Sequence, residues 1–99
     1  MKRIAILALT CLCTTLPAHA GKIENACLKS DRDQASRQLC GCIQEVADLT
    51  LGKSDQKVAA GFFADPHRAQ EIRQSDRKSH EEFWQRYKSF TSTAADYCQ

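Results

Sequence analysis

The chain has 99 residues, with 14 basic and 12 acidic side chains, six cysteines and three histidines. That length allows a single small domain, and a formal charge of only +2 gives no ground for expecting a polyanion such as nucleic acid as partner.

Lys2 and Arg3 precede a mostly apolar run from Ile4 to Leu16, followed by Pro17 and the small-residue pattern Ala18-His19-Ala20. This is the signature of a secretory leader over residues 1–20, with cleavage expected after Ala20. The apolar run is too short for a spanning helix, which needs about 20 apolar residues. Cys11 and Cys13 follow Thr10 and Leu12, where a lipid-attachment signal would carry a small residue, so both are expected to leave with the leader. Removing Lys2 and Arg3 brings the basic count from 14 to 12, equal to the acidic count, and leaves 79 residues, 21–99, as one domain. No stable membrane insertion is expected after cleavage, and the location implied is periplasmic or secreted.

In the remaining chain every periodic segment is helical, and no alternating run reads as a strand. The expectation is an all-α fold, a small bundle of four to five helices. A first helix is predicted over 23–29, with Ile23, Ala26 and Cys27 on one side. The run Ser30-Asp31-Arg32-Asp33 offers caps for a second helix over 34–51. Its stripe Ala35, Leu39, Ile43, Val46 and Thr50 has helical spacing, and Gly52 is its natural stop. A third helix over 56–64 is expected to bury Val58 and Phe62, with Phe63 as a further candidate. Asp65 and Pro66 then serve as cap and first-turn residue of a fourth helix over 66–74, whose apolar face is only Ala69 and Ile72. Ser79 and Glu82 form a capping-box pattern that opens the last helix. Its stripe Phe83, Tyr87, Phe90, Ala94 and Tyr97 or Cys98 places the core around that helix.

A domain of this size buries only about 60% of its unfolded surface and gains about 3–5 kcal/mol from its core, so added covalent support is expected. Cys27, Cys40, Cys42 and Cys98 supply it, an even number in an exported chain. Cys40 and Cys42 are two apart on a helix and point about 200° away from each other, so they suit different partners. With the first two helices folded back on each other, Cys27 lies nearer in height to Cys40. The preferred pairing is Cys27–Cys40 with Cys42–Cys98, the swapped pairing remaining open. The alternative uses Cys40 and Cys42, with the histidines, for thiol-redox or metal chemistry, but no C-x-x-C motif, zinc-type ligand spacing or C-x-x-C-H is present.

His67 and His80 fall in expected first turns of helices, without an H-E-x-x-H motif or an i,i+4 pair. No nucleophile elbow occurs, so no catalytic residue, metal or cofactor is expected. Glu82 is expected to pair with Arg86. A candidate ligand or partner surface comprises Arg73, Arg77, Lys78, His80 and Trp84. Trp84 sits about 60–80° off the centre of the last apolar stripe, and guanidinium groups beside an indole can grip a small anionic ligand or a partner's carboxylates. The competing reading has Trp84 covering the edge of the core.

The segments ACLKSD, LCGCIQEVAD, GFFADPHRAQEIRQSDR and EEFWQRYKSF span nearly the whole expected mature chain. In them the sequence resembles a family of short exported proteins of Gram-negative bacteria with no established activity. Some of its members carry the label "arginine transporter". For a chain without a spanning segment after cleavage, that label implies at most a periplasmic accessory to a transport system. The leading expectation is a periplasmic binding or interaction module with no chemistry of its own, its partner an unidentified periplasmic protein or a small anionic ligand.

Overall fold

The computed structural model describes residues 21–31, 33 and 35–98, and the expected leader with Cys11 and Cys13 lies outside them. Among the described residues there are five helices and no strand: α1 (Lys22–Lys29), α2 (Arg37–Thr50), α3 (Lys53–Ala64), α4 (Pro66–Arg73) and α5 (Lys78–Tyr97). α1 packs on α2 and α3, α5 packs on α2, and α4 fills the space against α3 and α5. None of these helices is long and apolar enough to cross a membrane.

The helix ends differ from expectation for local reasons. α2 starts at Arg37 because the Ser36 hydroxyl accepts from the Leu39 N–H, satisfying one of the orphan donors of its first turn. Ser30 is turned the other way: its hydroxyl donates to the Cys27 carbonyl and helps to end α1. Leu51 and Gly52 are both extended, so Gly52 ends α2 without a left-handed turn and serves as the N-cap position of α3. α3 therefore begins three residues before Gln56. Pro66 opens α4 as expected, although the Asp65 side chain makes no cap bond. The capping box at Ser79 and Glu82 does not form. α5 begins at Lys78, which places Ser79 inside the helix, and the Arg77 carbonyl accepts from the His80 and Glu81 N–H groups.

The core consists of Ile23, Val46, Ala47, Leu51, Ala59, Phe62, Ile72, Phe83 and Phe90. On α5 the buried positions follow the expected stripe as far as Cys98, while Tyr97 is exposed. On α3 the burial is shifted by one residue: Ala59 is buried and Val58 faces outward. On α2 it is also shifted. Val46 of the expected stripe is buried, but so are Cys40, Gln44 and Ala47, with Leu51 following, whereas Leu39 and Ile43 are only half-buried. One residue is 100° around a helix, so the deepest face of α2 is rotated toward α1.

Gln44 makes that rotation possible. Its Oε1 accepts from the Glu24 N–H at 3.0 Å, and its Nε2 donates to Asp48 Oδ1 and Gln56 Oε1, both at 2.8 Å. Glu24 is in the first turn of α1, whose N-cap residue is Gly21 and has no side chain to offer. The amide of Gln44 takes over the role of that missing cap from across the interface. The backbone at Gly21 passes so close that a Cβ there would overlap the Gln44 amide. Gln56 continues the network by donating to the Ala47 and Leu51 carbonyls at the end of α2. A buried polar side chain is tolerable when its hydrogen bonds are made, and these are.

The disulfides are Cys27–Cys40 and Cys42–Cys98, with sequence separations of 13 and 56. The first ties α1 to α2, and the second ties the end of α5 to the opposite flank of α2. Two such bonds fit a chain that folds under oxidising conditions. Arg86 departs from expectation: it pairs with Asp55, through Nε to Oδ2 at 2.6 Å and Nη2 to Oδ1 at 3.1 Å. The hydrogen bonds to Asp55 raise the guanidinium pKa above its usual value, desolvation opposes the rise, and the charges of Asp55 and Glu82 add to it. The pair fastens α5 to the first turn of α3.

Two predictions follow from this architecture. Replacing both cysteines of a bridge by serine should cost about 3 kcal/mol for Cys27–Cys40 and about 4 kcal/mol for Cys42–Cys98, because the second closes the longer loop. Urea unfolding of the two variants checks that order. Gln44→Leu should lower stability by about 1–3 kcal/mol, as it strands the Glu24 N–H, and thermal melting should show a fall of about 4–8 °C per kcal/mol.

Candidate functional site

With α1 and α5 drawn to opposite flanks of α2, the edge carrying Leu39 and Ile43 has none of the described helices laid over it. The result is an apolar groove. Leu39 and Ile43 from α2, Phe62 and Phe63 from α3, and Tyr87, Phe90 and Ala94 from α5 line its main length, with Cys98 near one end. At the other end it continues past Leu39, Ile43 and Phe63 to Cys27, Ala35 and the loop residues Asp31 and Asp33. Those two aspartates are the only charged side chains among its described lining residues.

The aromatic wall is held in place by ring packing. Tyr87 meets Phe62 edge-on at 5.2 Å and lies 6.0 Å from Phe90, while Phe62 meets Phe83 edge-on at 6.0 Å. Such pairs add about 0.5–1.5 kcal/mol each beyond burial and restrict ring motion. A cysteine of each disulfide borders the groove, Cys27 at one end and Cys98 at the other. The bonds therefore hold its walls, and Cys40 and Cys42 are joined to separate partners and not to each other.

The residues singled out from sequence divide into two sets. Arg73, Lys78 and Trp84 do meet around one shallow concavity, together with Glu81, Glu82 and Gln85. Two carboxylates beside two cations leave that surface without a net positive charge, which weakens it as a grip for an anion. Arg77 and His80 are not among its lining residues. Arg77 occupies the N-cap position of α5, and His80 Nδ1 lies 2.7 Å from Ser75 Oγ, a contact within the α4–α5 turn. Trp84 is half-buried against the core and packs on Tyr87 at 5.1 Å. His67 is exposed, 3.8 Å from Glu71. Among the described residues no group of three or more His, Cys, Asp or Glu side chains could hold a metal ion.

Sequence reasoning placed the groove's large residues in the core and so missed the groove itself.

The ring contact of Trp84 gives an expected outcome for the surface on α5. Trp84→Ala should lower stability by about 1–2 kcal/mol through lost packing on Tyr87, whereas Arg73→Ala should stay within about 0.5 kcal/mol of the parent in chemical denaturation. No family model, curated protein or solved structure matches the chain.

Proposed function

We propose that this protein is an exported, periplasmic helical module that captures an apolar chain non-covalently and carries out no chemistry of its own. The observation that carries this reading is the apolar groove along Leu39, Ile43, Phe63, Tyr87 and Phe90, open along a length bordered by both disulfides. An apolar cleft of this kind gains affinity from removing surface from water, about 25 cal/mol per Å² before the cost of association. The bonding of Cys40 and Cys42 to different helices supports a structural role for the thiols. The expected cleavage after Ala20 supports the periplasmic placement, since it would leave Gly21 at the head of α1.

N-phenyl-1-naphthylamine, a neutral dye that brightens in apolar surroundings, is a suitable probe for protein purified in its processed form. The expected result is saturable binding that Ile43→Glu weakens by about tenfold or more with the fold retained. Absence of saturable binding, or binding by Ile43→Glu and by a Leu39→Glu variant as tight as by the parent, would show that the groove is not a binding site.

A further inference from the structure

Phe63 borders a second concavity, between α1 and α3. Lys22 and Lys29 from α1 and Lys57 from α3 surround it, over a floor that includes Ala26, Ala60 and Ala64. The register explains the convergence. Positions 22, 26 and 29 fall on one face of α1, and positions 57, 60 and 64 on one face of α3, and these helices pack directly on each other. Small side chains keep the floor low, and the long lysine stems form the rim.

Among the described residues none of the three lysines takes part in an ion pair, and no carboxylate is among the described residues that line the cleft. This contrasts with Arg86, which is held by Asp55, and with Arg73 and Lys78, which share their concavity with Glu81 and Glu82. Phe63 lines both this cleft and the apolar groove, and Ser30 lines the cleft and the loop end of the groove. The groove's own loop end carries Asp31 and Asp33, which disfavour an anion there.

We infer that the ligand is a monomeric single-chain anionic amphiphile. Its phosphate or carboxylate head is held by Lys22, Lys29 and Lys57, and its apolar chain passes over Phe63 into the groove. This rests on the groove being a binding site and adds the chemical class of what binds. Charge complementarity selects the head group, and Phe63, which lines both clefts, lays the chain along the protein instead of into a bilayer.

The test compares displacement of N-phenyl-1-naphthylamine by dodecyl phosphate below its critical micelle concentration, by 1-dodecanol and by inorganic phosphate. Titration calorimetry of dodecyl phosphate and flotation with phosphatidylglycerol vesicles accompany it. Dodecyl phosphate should compete at a concentration about tenfold lower than dodecanol, with the advantage shrinking as salt rises. The triple variant Lys22→Gln, Lys29→Gln, Lys57→Gln should lose that advantage while its affinities for the dye and for dodecanol stay the same. Inorganic phosphate should not displace the dye. Equal competition by dodecyl phosphate and dodecanol, or an advantage that survives in the triple variant, overturns the assignment while leaving the groove reading intact. Failure of the dye to bind strikes the groove, and no calorimetric binding of dodecyl phosphate to protein that still binds the dye strikes the amphiphile assignment alone. Binding to anionic vesicles without binding of the monomer replaces the amphiphile by a membrane surface and also overturns the inference.

Discussion

Two sulfurs leaving one turn of α2 in divergent directions organise this molecule. Cys40 is fully buried and faces α1, whereas Cys42 is half-buried on the flank that receives the end of α5. Positions two apart on a helix differ by about 200°, so the bonds cannot draw both partners to the same side. α1 and α5 are therefore fastened to opposite flanks of α2. For a domain with so small a core, covalent closure of the unfolded chain is comparable to its expected net stability.

The interface between α1, α2 and α3 adds a polar counterpart to that covalent frame. Gln44 is the one polar side chain among the buried residues described, and it joins the first turn of α1 to Asp48 and Gln56. A glycine at the head of α1 is what lets this amide approach, and the amide in turn performs the capping that glycine cannot. Each half of the arrangement accounts for the other. Removing the side chain or adding one at position 21 disturbs the same contact.

The groove is a consequence of this division. Because the deepest face of α2 turns toward α1, its Leu39 and Ile43 edge is left between α3 and α5 and none of the described helices lies over it. The aromatic rings of α3 and α5 pack on one another firmly enough to keep the opposite wall in place. α4 does not cover the opening, because it packs against α3 and α5 and contributes no residue to the groove lining. Phe63 lines both the groove and the lysine-lined cleft, which sets an apolar surface beside a cationic one.

Much of this was legible in the residues. Helical spacing, with the cap and stop residues, located all five elements and the α5 stripe from Phe83 to Cys98; the angular separation of Cys40 and Cys42 gave them different partners, and height along the helices favoured the pairing seen without closing off its swap. These are local properties, set by 3.6 residues per turn and by short stretches of side chains. Other features depended on neighbours remote in sequence. The rotation of α2 required Gln44 to find donors and acceptors on α1 and α3. Arg86 chose Asp55, 31 residues away, over Glu82 on its own helix. The lysine cleft required α1 and α3 to lie side by side. A sequence read one helix at a time specifies which face is apolar, but which part of that face remains uncovered is decided only when the other helices have taken their places.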